Sequence, residues 1–81
     1  MEFQTGNPEP GLFYVSLVPE AMRKLPWNNI ELNKTIQYQR IRGPFQSEQE
    51  AKQEEQNLLN EIPKLETYVW LCPRRESPSM V

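Results

Sequence analysis

The sequence lacks two residue types on which much enzyme chemistry depends. It contains no His, and all 11 of its acidic residues are Glu, so Asp is absent as well. These absences exclude Ser-His-Asp triads, Cys-His dyads, His-bearing zinc sites, calcium loops that begin with Asp, and phosphoryl-transfer sites that place Asp on magnesium. We therefore predict that the protein is not an enzyme, and we expect no catalytic residue, no metal site and no cofactor.

Cysteine and long apolar runs are also scarce. The single Cys72 has no partner for an internal disulfide, and we expect it to be a small buried apolar residue. The longest apolar stretch covers residues 12–18, whereas a membrane helix needs about 20 residues, and no charged leader opens the chain. These features predict a cytoplasmic protein with no membrane partner.

Positive charge is sparse for a protein that binds a phosphate backbone. The formal net charge is −2, and the basic pairs Arg23-Lys24, Arg40/Arg42 and Arg74-Arg75 are scattered along the chain. Scattered basic pairs are typical of a solubilising surface. Nucleic acid is therefore disfavoured as a partner and is kept only as an alternative.

The apolar content allows only one thin core. Leu, Ile, Val and Phe make up 19 of the 81 residues, just above the level of roughly 20% below which chains usually stay disordered. Both ends contain Pro and have no periodic apolar face. We assign residues 1–11 to a flexible N-terminal arm, residues 12–72 to a single domain, and residues 73–81 to a flexible C-terminal tail.

Three segments favour β-strands. In residues 12–18 the apolar side chains of Phe13, Val15 and Leu17 alternate onto one face. Residues 66–72 alternate as well, with Val69 and Leu71 opposite Tyr68 and Trp70.

Residues 35–42 form the third predicted strand, which is second in chain order. Its alternation slips near Gln39-Arg40, which indicates a β-bulge, and Gly43-Pro44 is predicted to end it.

The clearest local signal is a helix start at Ser47. Ser47 and Glu50 have the spacing of a capping box, and strong helix formers follow as far as Pro63. Ala51, Leu58 and Ile62 are predicted to lie on one apolar stripe. The Glu-rich remainder (Glu48, Glu50, Glu54, Glu55 and Glu61) is interpreted as a solvated face in preference to a binding surface for a basic partner.

The order of elements predicts an α+β fold. We expect a small, three-stranded, mainly antiparallel sheet with one long helix packed on one face, and a short helix or lid segment after the first strand. The short helix is placed at residues 19–25 and an irregular lid at residues 27–34. The sequence does not determine the strand order.

The face of the sheet opposite the long helix is the candidate binding surface. Aromatic side chains there would have a basic rim, a composition that is enriched at interfaces and that stacks on sugars or bases. Whether this face is exposed or covered by residues 19–34 stays open. The candidate partner-binding residues are Tyr14, Tyr38, Arg40, Arg42, Tyr68 and Trp70.

Residues 36–70 resemble the second half of a SPOR domain. The resemblance rests on a strand ending in Arg40-Ile41-Arg42-Gly43-Pro44-Phe45, on Ser47, Glu50-Ala51 and Leu58-Leu59 in the helix, and on a closing strand. SPOR domains use the surface of their sheet to bind peptidoglycan strands that lack stem peptides. The resemblance would give that role to Tyr38, Arg40, Tyr68 and Trp70, whereas the first half of the chain departs from the pattern.

Small size and missing catalytic residue types together favour a binding role. We predict a non-catalytic interaction module that binds or regulates another, larger protein through the aromatic sheet face or through an exposed edge strand. SPOR-like glycan binding and nucleic-acid binding are the alternatives. Open strand edges also allow a homodimer.

Overall fold

A computed structural model describes residues 2–18 and 30–73 of the 81-residue chain, with only the backbone described at residues 30–33. The elements in chain order are β1 (Phe13–Leu17), α1 (Ile30–Tyr38), β2 (Arg40–Phe45), α2 (Glu48–Glu61) and β3 (Thr67–Leu71). They confirm the predicted α+β fold with a three-stranded antiparallel sheet. The helix predicted at residues 19–25, the first part of the predicted lid and residues 74–81 of the tail lie outside the described residues. No helix within the described ranges is long and apolar enough to cross a membrane.

The first strand lies in the middle of the sheet. The strand order is β2-β1-β3, so β1 pairs on one side with β2 and on the other with β3. Residues 12–18 are apolar or aromatic apart from Ser16, which suits a central strand that is covered on both faces. Tyr14, Val15 and Ser16 are 3%, 0% and 0% exposed. The core of the protein therefore forms around β1.

One face of the sheet packs against α2. The Ser47 hydroxyl accepts a hydrogen bond from the Glu50 amide at 3.2 Å, and the Glu50 carboxylate accepts one from the Gln46 amide at 3.3 Å. This confirms the predicted helix start, with the return bond made to Gln46 rather than to Ser47. Ala51 and Leu58 are buried against β1 and β2, as the predicted stripe requires.

The predicted stripe ends earlier than expected. α2 stops at Glu61, and Ile62 is the C-cap residue with an extended φ of −130°. Its side chain is 41% exposed. Ile62 is therefore not part of the core under α2, because the helical spacing no longer applies to it.

The opposite face packs against a helix that the sequence analysis did not predict. Residues 35–38 are helical and belong to α1, so the strand predicted over residues 35–42 is wrong in its first half, and residues 30–34 are helical rather than an irregular lid. Thr35, Ile36 and Tyr38 have strand-favouring side chains, but tertiary packing outweighs that preference. Ile36 is 1% exposed and packs against Val18, Tyr68 and Trp70.

A bulge in β2 sends its two arginines to opposite faces. Ser16 lies opposite Arg40 and Val15 lies opposite Arg42, so Ile41 has no counterpart on β1. The predicted bulge therefore exists, just after its predicted position. An extra residue reverses the alternation of side chains along a strand. Arg40 consequently lies on the α1 face and Arg42 on the α2 face.

The prediction that Gly43-Pro44 ends the second strand is wrong. β2 continues through both residues to Phe45, which lies opposite Phe13, and a second shift in register falls there. The Gly43-Pro44 peptide bond is cis. β2 is an edge strand, where the missing N–H of a proline is tolerated. The extension lets Phe45 pack against the core.

The N-terminal segment lies along β2. Gln39 O faces β1, since it accepts from the Leu17 amide at 3.1 Å, so the next carbonyl, that of Arg40, points away from β1. The Gln4 amide donates to Arg40 O at 2.7 Å, and the Gln4 side chain donates to Gly43 O at 2.9 Å. The arm thus covers the outer edge of β2. Its predicted flexibility concerns motion and stays a prediction.

We predict that Leu58→Ala lowers the free energy of unfolding by about 2–4 kcal/mol, because truncating a buried Leu removes apolar contacts and leaves a cavity. Leu58 is 3% exposed, whereas the neighbouring Leu59 is only partly buried. Leu59→Ala is the matched control and should cost clearly less. Urea unfolding followed by circular dichroism measures both, and equal losses would contradict the assigned helix face.

Candidate functional site

The structure brings together four of the six predicted binding residues. Tyr14, Arg40, Tyr68 and Trp70 lie on the α1 face of the sheet, which we call the aromatic face. Tyr14 lies directly opposite Trp70 in the β1–β3 pairing. The two rings stack with centroids 5.4 Å apart and planes 26° apart, and the Trp70 indole N–H donates to the Ser16 hydroxyl at 2.8 Å. The predicted cluster of rings on one face therefore exists.

The other two predicted residues lie elsewhere. The Arg42 Nε donates to a carboxylate oxygen of Glu54 at 3.3 Å, which places its guanidinium beside α2. Tyr38 is the last residue of α1 and is 75% exposed. Neither side chain takes part in the ring contacts of the aromatic face.

Arg40 is buried inside the molecule. It is 3% exposed, and its guanidinium carbon lies 5.4 Å from the centroid of the Tyr14 ring. Nη1 donates to Gln37 O at 2.9 Å and Nη2 donates to Gly6 O at 2.5 Å. Nε is also buried and has no hydrogen-bond partner. One cation therefore joins the arm, the end of α1 and the central strand.

Tyr14 and Arg40, two of the predicted binding residues, are buried. Tyr14 is 3% exposed, and its hydroxyl accepts from the Glu9 amide at 2.7 Å. Part of the aromatic face is thus covered by residues 2–11 and by α1, and only Tyr68 and Trp70 keep partial exposure. Tyr14 and Arg40 therefore make contacts within the fold, and a role for them in binding stays a prediction.

Cys72 lies in a protected position next to this cluster. It is 6% exposed, as expected of a lone cysteine. Burial raises the pKa of the thiol above its ordinary value, and the positive charge of Arg40 offsets part of this rise. The thiol is therefore protonated near neutral pH. Within residues 2–18 and 30–73, no three Glu or Cys side chains come together as a possible ligand set for a metal ion.

The outer strand β3 directs half of its backbone groups away from the sheet. At one end, Val18 N donates to Glu66 O at 2.9 Å, and at the other end, Cys72 N donates to Leu12 O at 3.0 Å. Residues of an antiparallel strand direct their N–H and C=O groups alternately to one side and to the other. The even-numbered residues from Glu66 to Cys72 therefore bond toward β1.

The odd-numbered residues of β3 consequently face outward. They are Thr67, Val69 and Leu71, and no strand of the described residues pairs with them on that side. β3 contains no charged residue and no proline. Such residues are the usual means by which an edge strand avoids pairing with another chain. The edge is therefore suited to accept a further strand.

A groove of about 540 Å³ runs beside this edge. On the α2 side, Leu71 is 52% exposed. Glu55 lies above the start of the strand and accepts from the Thr67 hydroxyl at 2.6 Å. The described residues that line the groove are Phe13, Ile36, Gln37, Glu48, Tyr68, Val69, Trp70, Leu71 and Pro73. Apolar side chains thus flank the outward-facing backbone groups on both faces of the sheet.

The sequence predicts binding at an edge strand but does not predict which of the three strands lies at an edge. The missing information was the strand order, which depends on contacts between residues far apart in the chain. One local signal was available: residues 67–71 carry neither charge nor proline, whereas the second strand contains Arg40, Arg42 and Pro44. This contrast distinguishes the two outer strands.

Comparisons with known proteins found no relative. The chain matches no protein-family model, no curated protein and no solved structure. The resemblance of residues 36–70 to part of a SPOR domain therefore stays a prediction.

We predict that Gly43→Ala destabilises the protein by about 1–3 kcal/mol, because it combines backbone strain with a steric clash. Gly43 has φ of +131°, and a Cβ at this position would lie 2.5 Å from Cδ1 of Tyr14. Gly6 has φ of +87°, but a Cβ added there would meet no atom within 4 Å. Gly6→Ala is the control and should cost less in thermal unfolding. A reversed order would show that Tyr14 does not pack against β2 in this way.

We predict slow reaction of Cys72 with a disulfide reagent at neutral pH, at least about tenfold slower than in the urea-unfolded chain, because the thiol is buried and protonated. Burial raises the pKa of the Cys72 thiol in the folded protein above the ordinary value of 9.0. The contribution of the protonated thiol to the free energy of unfolding is therefore fully present at neutral pH. It is lost as pH rises through the unfolded pKa toward the folded one. Equal rates in both states would contradict the burial of Cys72.

Proposed function

We propose that this protein is a non-catalytic interaction module that binds an extended segment of another protein along the outer edge of β3. The observation that carries the proposal is the row of outward N–H and C=O groups at Thr67, Val69 and Leu71, which no described strand pairs. Binding by strand addition uses such a row for affinity and the adjacent side-chain pockets for specificity.

The two outer edges of the sheet differ in whether the described chain itself covers them, and this difference supports the choice of β3. The outer edge of β2 is occupied by the chain itself through the two hydrogen bonds of Gln4. On β3, the half-exposed Leu71 and the partly exposed Trp70 lie next to the groove. A segment bound there would gain backbone hydrogen bonds, each contributing about 0.5–1.5 kcal/mol net, together with apolar burial.

Binding through the aromatic face is less well supported. Glycan and nucleic-acid binding through this face both depend on rings on which a sugar or a base is able to stack. Tyr14 and Arg40 are 3% exposed, and the Arg42 guanidinium is paired with Glu54 on the other side of the sheet. These positions favour a protein segment at the edge of the sheet over a sugar or a base stacked on its face.

The test uses peptides selected from a displayed library of extended 12-residue segments, a length of about two strands. Nuclear magnetic resonance of the labelled protein then measures amide exchange at Thr67, Val69 and Leu71. We expect bound peptide to slow exchange at these three amides and to leave Tyr68 and Trp70, whose amides already bond to β1, little changed. Binders that protect none of the three outward amides would refute the proposal.

Leu71 offers a matched pair of variants. Leu71→Pro removes one outward donor without removing a hydrogen bond to β1, and proline is tolerated at an edge position. Leu71→Val keeps the N–H and favours a strand. We expect Leu71→Pro to weaken peptide binding by about tenfold or more, and Leu71→Val to bind like the wild type. Equal affinities for both variants would contradict pairing at this edge.

A further inference from the structure

Arg40 is a buried cation that has no counter-ion among residues 2–18 and 34–73. Its side chain is 3% exposed, and its two bonded groups donate to neutral backbone carbonyls, those of Gln37 and Gly6. Among the described residues, the ion pairs join Glu54 to Arg42 and Glu48 to Lys52. A buried charge without a partner carries a large desolvation cost, which an anion would offset.

The Arg40 Nε strengthens this observation. It is buried and has no hydrogen-bond partner, whereas buried donors in folded proteins are almost always bonded. The ring of Tyr14, whose centroid lies 5.4 Å from the guanidinium carbon, compensates the charge only in part, because a cation–π contact is weaker than a buried ion pair. The guanidinium therefore retains both an unused donor and an uncompensated charge.

A cavity of about 450 Å³ lies against this residue. It is formed between the N-terminal arm and β2, at the opposite edge of the sheet from β3. Besides Arg40, the polar residues Thr5 and Asn7 and the acidic residue Glu9 are among those that line it, and all three are exposed. A hydroxyl, an amide and a guanidinium are hydrogen-bond donors suited to a carboxylate or a phosphate.

We propose that this cavity binds a small oxyanion, a carboxylate or a phosphate, whose charge is compensated by Arg40. Since Nε is shielded from solvent, binding requires a local shift of the cavity wall. That wall includes residues 5–7 of the arm, which contact Arg40 through Gly6 O. Binding would therefore fasten the arm to the sheet. The site is separate from the β3 edge, and neither proposal depends on the other.

Glu9 supplies the sharpest control, because it is an acidic residue among those that line the same cavity. If the cavity is a site for an external anion, Glu9 repels that anion, and Glu9→Gln should bind it at least about threefold more tightly. If Glu9 is itself the counter-ion of Arg40 in solution, Glu9→Gln should instead destabilise the protein, and the wild type should bind no anion. The second pair of results would overturn the proposal.

The experiment titrates the full-length protein with sodium phosphate and with sodium acetate, using sodium chloride at matched ionic strength as the control. The Nε–H resonance of Arg40 is followed by nuclear magnetic resonance, and the melting temperature is measured in parallel. We expect a saturable shift and a higher melting temperature with phosphate or acetate. The two titrations distinguish which oxyanion binds more tightly.

Wild-type measurements keep the test independent of folding defects. Arg40→Met removes the cation, and a folded variant should lose the anion-dependent rise in melting temperature. If that variant does not fold, the wild-type resonance and Glu9→Gln still decide the matter. An Arg40 resonance that does not move, or that moves equally with chloride, would refute the proposed site.

Discussion

The sheet has three strands, so only β1 has a neighbour on each side, and the rest of the fold is organised by the need to cover it. Val15 and Ser16 are completely buried although they point to opposite faces. α2 covers the face of Val15, where most of the apolar core lies. α1 and the N-terminal arm cover the other face, where the buried Ser16 hydroxyl receives the indole N–H of Trp70. Two thin layers thereby bury the central strand, although the chain has few apolar residues.

A three-stranded sheet also has two outer edges, and the described part of this protein treats them differently. The arm follows β2 and bonds to carbonyls that would otherwise face outward. β3 receives no such cover from residues 2–18 or 30–73, and its sequence contains none of the charges or prolines that normally discourage pairing. An asymmetry of this kind allows strand addition at one edge while the other edge is blocked.

Local signals account for most of what the sequence was able to predict. The start of α2 follows from the Ser47 and Glu50 side chains, whose bonds are made within one helical turn. β1 and β3 follow from side-chain alternation that matches a period of two. α1 was missed because Thr35 and Ile36 favour strands in isolation, whereas their helical state depends on packing against the sheet.

The candidate site was less predictable because it depends on contacts distant in sequence. The gathering of Tyr14, Tyr68 and Trp70 on one face followed from alternation, but the burial of Tyr14 and Arg40 did not. The N-terminal arm helps to bury both residues, and its sequence has no periodic apolar pattern that would predict this contact. The bulge at Ile41 also separated Arg40 from Arg42, and a shift of one residue decides which face each side chain occupies.

The position of Arg40 has a consequence for how the molecule opens. Its guanidinium contacts the arm at Gly6, the end of α1 at Gln37, and the ring of Tyr14 in the central strand. Detaching any one of these segments would leave a cation with still fewer bonds in an apolar interior. We therefore expect fraying at one segment to be coupled to the others, so that the α1 face unfolds as a single cooperative unit.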